Sequence, residues 1–349
     1  MKDSNCFDYL RYYASIAVIL LHGTGYAYLT IEGIDFKAIN HLNSIASLFP
    51  GVVILFSISG FVCVLSYEGN SEGFLKRRIK RIYPHLWLSM IINLVVISIT
   101  LGGISWADGS LLEWIGIQGL GVAFTPSCLK EFATGSINGA LWTIMVQLQF
   151  YVILVVFYKQ MVKWSMSFWI TIILPFAILL NVGANYISIR FSGLEKVIER
   201  SFVPYLIWFL LGVFCGLFYE QIKEYKTKIL LICAFLLGML LFLSNTDKNI
   251  INLIVKYGYY EGVIKSVLCS LIVIMIGIGA LGFLPKKRIK TDISYEMFLY
   301  HWIVLNVLVY FDTYNKVGWI CTLVLLYLFS ILLAYIAHKM VSVVARKCF

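Results

Sequence analysis

Apolar runs of about twenty residues recur along this 349-residue chain, and each is long enough to cross a bilayer's hydrocarbon core. A chain that presents so many must satisfy its backbone polar groups without water, which leaves helices or a closed barrel. The runs lack strict alternation, so helices are expected. Composition agrees: 60% of the residues are hydrophobic and 13% charged, well below the ~25% charge of soluble domains. The fold class read from the sequence is therefore all-α, a polytopic membrane protein forming one domain over 1–349 with no fused soluble domain.

Ten spans are expected, near 9–29, 46–67, 84–102, 139–158, 166–184, 203–219, 229–244, 262–284, 293–311 and 317–338. The connection 104–137 contains an apolar piece, Leu111–Phe124, that is too short to cross and reads as interfacial or re-entrant. With the N-terminus inside and loops taken alternately, 19 of the 28 Lys and Arg fall on the inner side. The inner face then carries +11 and the outer face −1, a positive-inside bias that places both termini in the cytoplasm. The net charge of +10 reflects topology, so nucleic acid is not an expected partner. Asp3 and Asp8 precede the first apolar run and no small-residue cleavage site stands out, so that run is read as a retained span. The eight cysteines form no CxxC pair and read as small apolar residues, and no metal is expected.

Ionisable groups inside spans are costly and mark functional candidates. Arg11 and His22 are 11 residues apart, within about 20° of three full helical turns, so they share a face and stand roughly 16 Å apart along the axis. Arg11 is expected at the inner boundary and His22 near mid-membrane. Before the third span, Phe74–Pro84 carries Arg78 and Arg81 at i, i+3, a spacing that suits clamping an anion. Ser59 and Gly60, in Phe56–Phe61, read chiefly as small residues that let helices approach. The fourth span brings Trp142, Gln147 and Gln149, with the glutamines able to bridge helices by hydrogen bonds. The ninth brings Ser294, Tyr295, Glu296 and His301. Three further histidines, His41 in an expected loop, His85 at a span start and His338 near a span end, read as structural.

Five stretches together resemble the integral-membrane acyltransferase-3 family, which includes O-antigen and other cell-envelope polysaccharide O-acetylases. They are Phe7–Ala14 continuing to His22, Phe56–Phe61, Phe74–Pro84, Leu141–Tyr151 and Ile293–Trp302, in the family's order. The resemblance implies transfer of an acyl group, usually acetyl from the co-substrate acetyl-CoA, to a hydroxyl of O-antigen, capsule or exopolysaccharide. By similarity His22 is the catalytic histidine, Arg11 its partner in Arg-x10-His, and Arg78 and Arg81 the cytoplasmic arginine motif. Ser59, Trp142, Gln147, Tyr295 and His301 would support the substrate or the site. Gln147 departs from the pattern: members commonly carry Glu there, and Gln can neither accept a proton nor hold negative charge.

These readings converge on a mechanism. Arg11, Arg78 and Arg81 would bind the phosphates of a cytoplasmic acyl-CoA, and His22 would take the proton from an acceptor hydroxyl as it attacks the thioester. Tyr295, Ser294, Gln147 or His301 would stabilise the oxyanion. The expected partners are acyl-CoA, a lipid-linked or nascent envelope glycan and membrane lipids, and the expected location is the bacterial inner membrane. Two other functions fit the buried charges less well: a flippase of lipid-linked glycans, and an acyltransferase-like protein that only binds.

Overall fold

A computed structural model describes residues 6–32, 36–103, 109–246, 258–259, 262–284 and 289–348, with side chains of 244–246 and 344–348 outside the description. The expected inner-side charges Lys2, Lys286, Lys287, Arg288, Arg346 and Lys347 thus lie outside the described side chains. The described residues are overwhelmingly helical and contain no strand. In chain order the helices are α1 (Phe7–Thr30), α2 (Lys37–Leu48), α3 (Gly51–Gly69), α4 (Phe74–Thr100), α5 (Ser110–Gly119) and α6 (Leu141–Met161). There follow α7 (Met166–Arg190), α8 (Glu195–Glu199), α9 (Leu206–Leu217), α10 (Tyr219–Thr246), α11 (Val263–Gly277), α12 (Ser294–Tyr310), α13 (Thr313–Val317) and α14 (Trp319–Cys348).

Among the described residues six helical stretches are long and apolar enough to cross a membrane: 37–69, 74–100, 141–161, 166–190, 219–243 and 319–343. A bent pair, Ser192–Glu199 with Val203–Leu217, makes a seventh if it is one broken span. The three other expected spans hold helices of a different kind. α11 and α12 have 15 and 17 residues, and α1 carries Asp8, Arg11 and His22. α11 is apolar but short, and the polar groups of α12 are tolerable because neighbouring helices cover them: thirteen of its seventeen residues are buried.

Several local expectations are corrected. His41 lies in α2, not in a loop, because the helical segment before Pro50 starts earlier than its apolar run. The expected spans 203–219 and 229–244 are divided differently, α9 ending at Leu217 and α10 starting at Tyr219, so the basic 223–228 stretch is helical. The piece in the long connection is α5, whose Leu111 and Trp114 pack with Met90 and Ile97 of α4, and with Leu129, Phe132 and Ile137 beyond it.

The chain forms two compact units: 1–14, 49–75 and 146–290, and 15–48, 76–145 and 291–349. The first is built by close helix approach. A Cβ on Gly60 of α3 would overlap the carbonyl of Phe209, and one on Gly212 of α9 would overlap that of Ser57. Glycine there lets two backbones touch, the usual route to tight packing where lipid offers no hydrophobic drive between helices. Phe150 stacks on Phe209 with ring centroids 4.4 Å apart. Ser57 Oγ donates to Ser270 Oγ at 2.8 Å, and Trp208 Nε1 to Ser266 Oγ at 2.9 Å.

The second unit is tied by polar side chains. Ser15 Oγ donates to the carbonyl of Ser294 at 2.8 Å, Tyr314 Oη to that of Gly23 at 2.6 Å, and Tyr327 Oη to that of Ile16 at 2.8 Å. These bonds fix α1 beyond Ala14 against α12 and the α13–α14 hairpin.

Candidate active site

Helix α12 organises the polar interior of the second unit. Its sequence Ser294-Tyr-Glu-Met-Phe-Leu-Tyr-His-Trp-Ile-Val-Leu-Asn306 distributes polar groups around the helix, so each meets a different neighbour. Toward α1, His301 meets His22: His22 Nδ1 and His301 Nε2 are 2.9 Å apart, and the rings lie 8° from parallel.

The partners assign the tautomers of this pair. His301 Nδ1 sits 2.7 Å from the carbonyl of Phe298. A carbonyl only accepts, so His301 Nδ1 carries the proton and, in the neutral ring, Nε2 is a bare acceptor. His22 must then donate from Nδ1, which leaves its Nε2 with an unshared lone pair. The same logic orients the base of hydrolytic triads: one ring nitrogen is held as a donor so that the other is a base. His301 is fully buried, and His22 half-buried. Of the four oxyanion candidates, His301 is thereby an acceptor toward His22 and not a donor. Ser294 Oγ donates to Asp292 at 2.6 Å, and Gln147 Nε2 to Ser59 Oγ at 2.6 Å.

The loop before α6 straps the pair. The edge of Trp302 meets the His22 ring at 4.7 Å between centroids. Trp302 Nε1 donates to Thr134 Oγ1 and to the carbonyl of Ser136, both at 3.1 Å. Asn306 Nδ2 donates to the carbonyls of Ser136 and Ile137, both at 3.0 Å, while its Oδ1 accepts from Thr134 Oγ1 at 2.6 Å. Asn138 Nδ2 donates to the carbonyl of Leu299, and Tyr26 Oη to that of Thr134, each at 3.0 Å. A Cβ on Gly139 would overlap the indole of Trp302, so this close approach requires glycine. Sequence reasoning missed Tyr26, Thr134, Asn138, Trp302 and Asn306. Of these, Trp302 closes the stretch Ile293–Trp302, where only its neighbours drew attention.

A second constellation sits nearer the start of α12. Glu296 Oε1 faces His338 Nδ1 of α14 at 2.7 Å and His85 Nε2 of α4 at 3.3 Å. Tyr300 Oη donates to the backbone carbonyl of His85 at 3.0 Å, and the ring of Tyr295 meets the His85 ring edge-on. His85 and Glu296 are 7% and 4% exposed. Two residues read as structural from sequence thus converge on one buried carboxylate.

The remaining candidates fall elsewhere. Arg11 pairs with Asp8 at 3.0 Å, and the other Asp8 oxygen accepts from the backbone of Ile289 at 3.1 Å, all within the first unit. Asp8, three residues before Arg11, was readable as an i, i+3 ion pair. Ser59 and Gln147 bond to each other in the same unit. Gln149 fastens the turn before α9, accepting from Phe202 N and donating to the carbonyl of Arg200 at 2.8 Å each. Arg78 and Arg81 lie in the first turns of α4, half-buried and exposed respectively. Trp142 lies in the first turn of α6.

The chain is a bundle of apolar helices with a pair of histidines inside it, and comparison with known proteins supplies its class. Residues 4–339 match the model of the family described as Acyltransferase domain. The chain belongs to this acyltransferase-3 family and is a multi-pass membrane acyltransferase. It is similar to Nodulation protein 10 of Rhizobium leguminosarum bv. viciae, at 24% identity over 336 residues, covering 90% of this chain and 85% of that protein. No solved structure matches the chain.

Proposed function

We propose that this protein is an O-acyltransferase of the bacterial inner membrane. It would move an acetyl or other short acyl group from cytoplasmic acyl-CoA to a hydroxyl of an envelope glycan such as O-antigen, capsule or exopolysaccharide. The observation that carries the reading is the bare Nε2 of His22, fixed as an acceptor by the chain His22–His301–Phe298. A ten-span topology with both termini cytoplasmic, in which α1, α11 and α12 also cross, puts that nitrogen inside the membrane.

His22 Nε2 removes the proton from the acceptor hydroxyl as its oxygen attacks the thioester carbonyl. The new C–O bond forms, the C–S bond breaks, and the thiolate leaves with the electron pair. The imidazolium of His22 returns its proton to the thiolate, so an ester and a free thiol are the only products. His301 steadies the imidazolium by accepting from its Nδ1–H, and base assistance of this kind contributes about 10²–10⁴-fold. Arg78 and Arg81 hold the donor phosphates, and Arg11, kept in place by Asp8, is the partner that the motif supplies.

The test uses membranes supplied with labelled acetyl-CoA. His22→Ala should abolish label in envelope polysaccharide while the protein remains inserted and folded; full labelling by that variant overturns the assignment. At position 301, Gln places an acceptor oxygen near the Nε2 position and Leu does not. His301→Gln should therefore keep much more activity than His301→Leu, and equal activity of the two would dismiss the tautomer relay.

A further inference from the structure

The His85–Glu296–His338 constellation has no part in the mechanism above, and one of its atoms is unaccounted for. His85 Nδ1 is buried and meets no hydrogen-bond partner among the described residues. Its other nitrogen faces Glu296 Oε1. A carboxylate 3.3 Å away favours the proton on Nε2, and Nδ1 of the neutral ring is then a bare lone pair. The arrangement repeats that of His22 with the roles of the two nitrogens exchanged. Both imidazoles that face Glu296 point at the same oxygen, which suits fixing a tautomer. A buried polar atom without a partner is costly, so it demands an explanation.

Position on α4 supplies one. At 100° per residue, Arg78, Arg81 and His85 fall within an arc of about 60°, with His85 one turn beyond Arg81 and some 10 Å from Arg78 along the axis. The helix therefore presents two guanidinium groups and then a hydrogen-bond acceptor in line. Acyl-CoA presents the complementary order: phosphates, then an arm with two amide N–H groups, then the thioester. At the far end, Glu296 and His301 stand five residues apart on α12, so the element that orients His85 also carries the partner of His22.

We propose that His85 is a donor-arm contact, accepting a hydrogen bond at Nδ1 from an amide N–H of a pantetheine-bearing acyl thioester, with Glu296 as the positioning residue that fixes its tautomer. The assignment rests on the acyl-CoA reading above. Binding displaces the packing around Nδ1 and replaces it with the partner this atom lacks.

Two ligands and two variants separate the possibilities, with the full-length protein in lipid nanodiscs. Coenzyme A carries the arm; adenosine 3′,5′-bisphosphate keeps nucleotide phosphates and lacks it. His85→Gln keeps a polar group near Nε2, facing Glu296, but removes the acceptor at Nδ1. His85→Asn does the reverse. Calorimetry should find coenzyme A binding weakened about tenfold in His85→Gln, the loss expected for one hydrogen bond, with adenosine bisphosphate binding unchanged. His85→Asn should stay within about twofold of the parent for both ligands. Arg78→Ala should weaken both ligands alike. Thermal unfolding of each variant checks that it is folded, and Glu296→Gln gives a second route to a mis-oriented imidazole, with the same selective loss for coenzyme A. Retained coenzyme A binding in folded His85→Gln, with loss in His85→Asn, would show that only the Glu296 contact matters and overturn the subsite. Equal weakening of both ligands by His85→Gln would overturn it too. A parent protein that binds neither ligand would remove the acyl-CoA reading itself.

Discussion

The two units of this protein are held together by opposite means. In the first, Gly60 and Gly212 bring α3 and α9 into backbone contact, and Phe150, Phe209 and Trp208 fill the remaining space. In the second, α12 is tied to its neighbours by His301, Glu296, Trp302 and Asn306. Close-packed glycines bring two backbones together without placing a functional group at the contact. Oriented polar side chains provide chemistry, at the cost of satisfying every buried donor and acceptor. Under the proposed mechanism, polar-tied packing is what handles the proton, and glycine-tight packing serves as scaffold.

Several substitutions would break or sharpen this contrast. The largest effect is expected from His22→Ala, which should lower acyl transfer by about 10²–10⁴-fold with little change in thermal stability. Gly212→Leu should do the opposite, lowering stability and yield by at least the ~1–3 kcal/mol of an overpacked core. Measured per folded molecule, its activity should recover; a stable Gly212→Leu protein would contradict the backbone contact. Glu296→Ala leaves two imidazoles facing no carboxylate, and should cost a few kcal/mol in thermal unfolding, in line with breaking a buried pair.

Trp302→Phe is a gentler probe, because it keeps the ring beside His22 and deletes only the donor to Thr134 and Ser136. About 1 kcal/mol of stability is at stake, and kcat should fall more than KM rises if the strap positions His22. The smallest effects should come from Gln147→Glu and Phe235→Ala. Gln147 bonds Ser59 in the first unit, so restoring the carboxylate that the family commonly carries should leave kcat within about threefold, the scale of one weak neutral contact. Phe235 is 71% exposed on α10, and its truncation should stay within about 0.5 kcal/mol. A large rise in kcat for Gln147→Glu would move chemistry into the first unit and undo the contrast.

Much of this was legible in the chain itself. Helical class and the rough positions of the long apolar helices follow from apolar run length, because a bilayer fixes how many residues a helix needs. His22 stood out because an ionisable group within an apolar run must have a reason to be there. The motifs also named the family correctly. Residues of ordinary local pattern stayed hidden: Trp302 and Asn306 look like any polar or aromatic residue in a span, and Thr134 like a loop residue. Their roles come from contacts 166 to 172 positions apart in the chain, which no periodicity encodes.

The sequence by itself determined that the protein lives in a membrane, where its longest apolar helices run, and which histidine to suspect. Hydrophobic run length and the cost of buried charge act locally and need no fold to be read. Only the tertiary structure decided which nitrogen of His22 keeps its lone pair, because that depends on His301 being held by a carbonyl 2.7 Å away. It also decided that His85 and His338, unremarkable in sequence, share one buried carboxylate. A side chain's type announces what it can donate or accept; its partners, fixed by packing, decide which it does.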